Sequence, residues 1–269
     1  MWIDSFFDQK NFSVERPSAL YYNGTILQSR KAGVGIVIRV YHGSDHIIRN
    51  PQYLGGKADN DYGNGFYTTE FEDRARSWAA LNGNPESSVV NVYDLDLEGL
   101  KVLDLNEHGV LSWIAEVVAN RGTNQEAANV VGTRLVELYR PDVSGYDIIK
   151  GYRADDSYTQ VVEAFLLNQI QLQEVERLFY KGSLGNQIFL KSEKAFRQIH
   201  WINSYEVEFQ EEDKTADMYA RREVNRFLSG RLQAILLEGY EVPGITARYA
   251  IQNRLIYNKE FGGYEIVSL

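Results

Sequence analysis

The sequence predicts an α+β fold. Three observations carry that expectation. A β-branched run, Ile36-Val37-Ile38-Arg39-Val40-Tyr41-His42, stands ahead of any helical pattern; helical periodicity fills the middle of the chain; and short strand-like runs return after it. Strands gathered before and after a helical block, rather than alternating with helices, speak against a regular βαβ series.

The elements follow in order. Residues 1 to about 33 are polar, aromatic and weakly patterned, with a turn at Asn23-Gly24. The first strand ends at Gly43, and a loop with Pro51, Gly55 and Gly56 leads to a glycine turn at 63–65. Thr69-x-x-Glu72 has the spacing of a capping box, which predicts a helix from Glu70 with an apolar stripe of Phe71, Ala75, Trp78 and Ala79, ending at Asn82-Gly83. Ser88 to Leu97 and Leu100 to Leu105 read as two strands joined at Glu98-Gly99. Helices are expected over about 110–120 and 124–139, the second announced by Thr123-x-x-Glu126 and stopped near Pro141.

Tyr146 to Gly151 reads as a strand, followed by a polar loop and helices over about 158–168 and 172–181. Asn186 to Lys191 is a short strand, Glu193 to Ile199 a short helix, and Tyr205 to Phe209 a last strand. Beyond Glu211 a long amphipathic helix (about 214–237) precedes a tyrosine-rich tail with Pro243-Gly244 and Gly262-Gly263. The expected division is therefore 1–210 as a main domain and 211–269 as a helical, tyrosine-rich extension packed on it.

Composition narrows the function classes. With 269 residues the chain can bury a substantial core. It has no cysteine, which excludes disulfides, thiol nucleophiles and thiolate metal sites and fits a reducing cytoplasm. No apolar run approaches the roughly 20 residues that span a bilayer, and the start lacks a signal-peptide pattern. A soluble, cytoplasmic protein without a membrane partner is expected. The net charge of −9 argues against nonspecific nucleic-acid binding, although Arg221, Arg222, Arg226 and Arg231 stand as a local basic rim or as an ordinary solvated helix face. Gly33-x-Gly35 precedes its strand, so no dinucleotide-binding Rossmann fingerprint is present, and His42 and His46 do not form a metal pair.

Two segments carry the most chemistry: Tyr41-His42-Gly43-Ser44 at a strand end, and Gly63-Asn64-Gly65-Phe66-Tyr67-Thr68-Thr69 at a glycine turn before a helix. Singly, His42 and Trp78 fit ordinary packing roles. Their occurrence in this order, with these glycines, resembles the His-Tyr branch of the ADP-ribosyltransferase superfamily, the branch of diphtheria toxin and the poly-ADP-ribose polymerases. The resemblance covers roughly residues 36–205. It implies two packed, mainly antiparallel sheets around a cleft for NAD, which is consumed as a substrate, and no metal.

The resemblance also implies roles. His42 would bond the adenosine ribose, Gly43 the nicotinamide carboxamide through its main chain, and Ser44 would lie beside them. Gly65 would let Tyr67 swing over the pocket, where Tyr67 and Trp78 would sandwich the nicotinamide ring. Ala75 stands where the polymerases have a carboxamide-binding serine. Gly185 to Ala195 resembles a bacterial family of transferase-like domains that places glutamine at the third site position, here Gln187. An amide bonds a ribose hydroxyl but carries no charge, which implies single transfers and leaves open whether Glu163 or Glu193 adds a carboxylate. The loop Arg153, Asp155, Asp156 and Ser157 would lie near the acceptor or the diphosphate.

The function so implied is mono-ADP-ribosylation of a macromolecule by a toxin of a toxin–antitoxin or phage-defence system. Gly185, two positions before Gln187, does not match the arginine-modifying signature, which favours a base in RNA or single-stranded DNA over a protein acceptor. An antitoxin or chaperone would be the further partner. The alternatives are an NAD glycohydrolase, a protein-modifying effector, and a non-enzymatic interaction module on the same fold.

Overall fold

A computed structural model describes residues 36–82, 87–153, 156–181, 186–208 and 211–266. The expected features of residues 1–33 and the helix stop at Gly83 lie outside them. The architecture is α+β, as the sequence predicts.

Three antiparallel strands, β1 (Val37–Ser44), β3 (Val89–Asp96) and β7 (Ile199–Glu206), form the first sheet in the order β1-β3-β7. The second sheet has the order β2-β6-β5-β4, from β2 (Phe66–Thr68), β6 (Asn186–Leu190), β5 (Ile148–Tyr152) and β4 (Val102–Asp104). Only its β4–β5 pair is parallel. Val40, Tyr93, Leu95 and Ile199 of the first sheet and Phe66, Ile148, Ile188 and Leu190 of the second share one buried cluster, so the sheets pack face to face.

Each sheet is covered on its other face. Ala75 and Ala79 of α1 (Glu72–Asn82) pack on Val90 and Val92. The second sheet is covered by α2 (Val110–Arg121), α3 (Glu126–Tyr139), α4 (Asp156–Leu166) and α5 (Leu172–Lys181), through Trp113, Ile114, Leu135, Phe165 and Val175. A fully buried Ile, Leu, Val or Phe among these stabilises the fold by roughly 1.5–3 kcal/mol on burial, before entropy is charged against it.

Several sequence expectations shift. The two capping boxes do not form. Helix α1 starts at Glu72: Thr69 Oγ1 accepts from Phe71 N at 3.2 Å, but the Thr69 main chain is held in a bridge to Tyr41 and its Oγ1 also donates to the Asn186 carbonyl. Helix α3 follows Gln125, which supplies no side-chain cap, while Thr123 Oγ1 donates to the Gln125 carbonyl. The two strands expected on either side of Glu98-Gly99 are present as β3 and β4, and they belong to different sheets. The helix expected to reach Ile199 is α6 (Glu193–Arg197). The last strand of the first sheet begins at Ile199, not Tyr205, because Ile199, Trp201 and Ile202 continue its β pattern.

The C-terminal segment shares the main core. Helix α7 (Glu211–Glu238) contributes Val224, α8 (Ala247–Asn253) Ala247 and Ala250, and the hairpin of β8 (Leu255–Asn258) and β9 (Gly263–Ile266) Leu255. The sequence missed α8 and the hairpin. Its short alternating runs, Leu255–Asn258 and Gly263–Ile266, were the available signal.

Candidate functional site

The two sheets meet edge to edge at one isolated bridge, Tyr41–Thr69. Tyr41 N donates to Thr69 O at 2.8 Å and Thr69 N to Tyr41 O at 2.9 Å. Among the described residues β1 and β2 pair no further. Main-chain direction repeats every second residue in an antiparallel strand, so the next pair along, Gly43 and Tyr67, aims its N–H and C=O groups into the same gap. His42 crosses that gap: its Nδ1 lies 2.6 Å from the Tyr67 carbonyl oxygen. The N–H and C=O of Gly43 then form an edge complementary to a primary amide.

Gly43 is dictated by packing as well. A Cβ there would stand 2.1 Å from the Ala75 carbonyl oxygen and 2.6 Å from Ala79 N, so α1 rests directly on this strand end. Gly65 is equally confined: a Cβ would lie 2.4 Å from the Leu190 carbonyl oxygen, against β6. This close approach brings Tyr67 onto Phe189, with ring centroids 4.7 Å apart. Tyr67 Oη donates to Gly63 O at 2.7 Å and accepts from Tyr62 N at 3.0 Å, which fixes the glycine turn over the sheet. Burial raises the Tyr67 phenol above its ordinary value, so it stays protonated.

The remaining expected residues are placed as follows. Ser44 lies at the end of β1 but spends its hydroxyl on the turn, donating to His46 O at 2.6 Å and accepting from Asn91 Nδ2 at 3.0 Å. Trp78 is buried on α1, yet its ring lies under the Arg153 guanidinium, 5.0 Å from centroid to Cζ. Tyr67 stacks instead towards Tyr62, at 6.4 Å and 17°. The two rings expected to form a sandwich therefore have other partners here, Arg153 for Trp78 and Tyr62 for Tyr67. Asp155 lies outside the described residues, and Asp156 opens α4, followed by Ser157.

Gln187 is buried on β6, 3% exposed, with Nε2 donating to Asp61 Oδ2 at 2.8 Å and towards Tyr152 O at 3.3 Å. Neither carboxylate named beside it is its neighbour. Glu163 accepts from Asn124 N and Gln125 Nε2 at the head of α3, and Glu193 faces Arg197 within α6. The adjacent carboxylate is Asp61, which sequence reasoning missed. It is itself buried and paired with Arg121 Nη1 at 2.9 Å. Tyr62 and Trp113 join this network: Tyr62 Oη donates to Tyr152 O at 2.6 Å, and Trp113 Nε1 donates to Tyr62 Oη at 2.9 Å. Asp61-Tyr62 directly precedes the glycine turn, the one signal that would have flagged it.

A surface cavity of about 440 Å3, lined by Arg49, Asn50, Phe196, His200 and Trp201 among others, contains none of these residues. The basic rim considered on α7 is partly spent, because Arg231 pairs with Glu174 and stacks on Tyr240. No described helix is long and apolar enough to cross a membrane.

The family described as Protein of unknown function (DUF3990) matches residues 38–201, more than half of the chain. The chain belongs to the DUF3990 family. No curated protein and no solved structure matches it. The DUF3990 span runs from β1 into the start of β7, so it takes in the second sheet, most of the first, the Tyr41–Thr69 bridge and every residue of the gap. Helices α7 and α8 and the terminal hairpin lie beyond it.

Proposed function

We propose that this DUF3990 chain is an NAD-dependent mono-ADP-ribosyltransferase of the His-Tyr-Gln kind, acting in the cytoplasm as a toxin of a toxin–antitoxin or phage-defence system. The observation that carries the reading is the parted β1–β2 edge, with His42 locked across it and the main chain of Gly43 turned into it. A primary carboxamide such as that of nicotinamide matches the Gly43 N–H and C=O. A neutral His42 with its hydrogen on Nδ1 has Nε2 to accept from a ribose hydroxyl.

In the proposed reaction the bond from the ribose anomeric carbon to the nicotinamide nitrogen breaks. Its electron pair goes to nicotinamide, which leaves neutral, and the sugar becomes an oxocarbenium ion. A nucleophilic atom of the acceptor bonds that carbon and loses its proton to solvent. The site contributes by holding the ring and ribose apart and excluding water until the acceptor arrives. Arg153 is a flat cation on the face of Trp78, and a pyridinium ring stacking there would displace it. A base in RNA or single-stranded DNA is the acceptor favoured over protein, with an antitoxin or chaperone as the neutralising partner.

A second reading, a non-enzymatic interaction module, is favoured by two observations: Arg153 covers Trp78, and Gln187 is buried beneath Asp61 and Tyr152. Incubation with labelled NAD, followed by separation of protein, RNA and DNA, decides among these. Label in a nucleic-acid pool supports the proposed transferase, and label in protein moves the acceptor. Free ADP-ribose alone makes the protein a glycohydrolase. Absence of nicotinamide release, in the wild type as in His42→Ala and Tyr67→Ala, leaves the interaction module.

A further inference from the structure

The amide of Gln187 has a determined orientation. The Asp61 carboxylate and the Tyr152 carbonyl, at 2.8 and 3.3 Å, both only accept hydrogen bonds, so the atom facing them must be nitrogen. With both hydrogens of Nε2 committed, Oε1 is what Gln187 has left to offer a ligand. Asp61 is held in turn by Arg121, whose Nη1 lies 2.9 Å from Oδ1.

We propose that Asp61 is a positioning residue that makes Gln187 present its carbonyl oxygen to the 2′-hydroxyl of the nicotinamide ribose, as a carboxylate would. The proposal rests on the transferase reading above and names its missing negative charge. That charge has moved back by one hydrogen bond. An amide donating to a carboxylate is polarised, which draws electron density onto its oxygen. Gln187 thus relays part of the anionic character of Asp61 to the sugar, while Arg121 keeps the buried Asp61 compensated.

The arrangement also explains why glutamine suits position 187. A glutamate there would set a second carboxylate against Asp61, which already pairs with Arg121. Among the described residues, the titratable groups around Asp61 include Arg121 and Glu116 on α2, Tyr62 beside it and Tyr67 on β2, and Glu116 is already engaged by Arg140. Two carboxylates in contact share one proton, which raises the apparent pKa of the pair. Stability of Q187E is then full in acid, below the ordinary carboxylate range, and lost as pH rises through the raised value.

The test uses the whole 269-residue chain and three variants, D61N, Q187E and D61N/Q187E. Nicotinamide release from NAD gives kcat and KM, and thermal unfolding is followed from acid to neutral pH. D61N should lose about 100-fold in kcat with a smaller change in KM, as for a misplaced group. Q187E should lose Tm as pH rises, relative to the wild type. The double variant, in which amide and carboxylate exchange places, should regain the wild-type pH dependence and at least ten times the kcat of either single variant, roughly 1.4 kcal/mol. A D61N enzyme as active as the wild type, a flat Q187E profile, or no recovery in the double variant overturns the assignment. A wild-type chain that releases no nicotinamide overturns the transferase reading itself, and Asp61's role in the reaction with it.

Discussion

His42 Nδ1 and the Tyr67 carbonyl oxygen are 2.6 Å apart, across the gap where β1 and β2 stop pairing. A carbonyl only accepts, so Nδ1 carries the hydrogen and Nε2 is the acceptor of the neutral ring. Burial lowers the His42 pKa, and the bond to Tyr67 opposes that shift without cancelling it. One contact therefore sets the spacing of two strand ends, the tautomer of an imidazole and its charge.

Acid should act on this contact. The folded pKa of His42 lies below its ordinary 6.5, so its contribution to stability is complete above that value and is lost as pH falls through the folded one. Tm of the wild type should drop as pH falls below 6.5. In His42→Asn, whose amide nitrogen can replace the Nδ1 donor without titrating, that part of the curve should flatten. Calorimetry across the pH series checks this, and an unchanged slope in the variant would assign the acid sensitivity to other groups.

Gly43→Ala should fail by collision. The new methyl meets main-chain atoms of Ala75 and Ala79, which cannot swing aside as a side chain can. Overpacking typically costs about 1–3 kcal/mol, and the upper end or beyond is expected here. Urea unfolding would report it as a lower midpoint, and NAD turnover, if present in the wild type, should vanish with it. A wild-type midpoint would mean that α1 shifts away from β1 at little cost.

Tyr67→Phe separates the hydroxyl from the ring. It strips the Tyr62 N–H and the Gly63 carbonyl of their shared partner, at about 1–3 kcal/mol for a group left unsatisfied. The ring contacts with Phe189 and Tyr62 survive. Tyr67→Ala removes those too and should cost about 3–5 kcal/mol, as for other large aromatic truncations. Denaturation of both variants should rank them in that order. Equal losses would mean that the ring contributes nothing beyond its hydroxyl.

Legibility from sequence followed the physics of each feature. The stripe Ala75, Trp78 and Ala79 was readable because apolar periodicity reports burial directly, and β1 because its β-branched run favours extended backbone, although Val40 alone of its residues is buried. Phe71 fell outside that stripe because it lies before α1 and is exposed. Thr69 misled as a cap because its main chain answers to Tyr41, far away in sequence. Asp61 had only its place before the glycine turn to mark it, for the same reason: its partners Arg121 and Gln187 are brought to it by the fold. Cross-sheet relationships of this kind leave no local pattern.

The C-terminal extension after residue 210 packs into the main core, and removing it makes a prediction. Val224, Ala247, Ala250 and Leu255 belong to the core built by α2 to α5. Hydrogen bonds tie the parts together: Leu172 N donates to Ile245 O at 2.7 Å, Tyr139 Oη to Ala250 O at 2.7 Å, and Leu111 N to Tyr264 Oη at 2.8 Å. Cutting after 210 also strands the buried Glu174 without Arg231, and breaking a buried pair from one side costs about 3–5 kcal/mol. Added to the exposed apolar surface, this matches or exceeds much of a typical domain's net stability of roughly 5–15 kcal/mol. A fragment spanning 1–210 should therefore show weak near-ultraviolet dichroism and no cooperative thermal transition, while the whole chain shows both. A sharp transition in the fragment would restore the boundary and make the C-terminal segment an accessory.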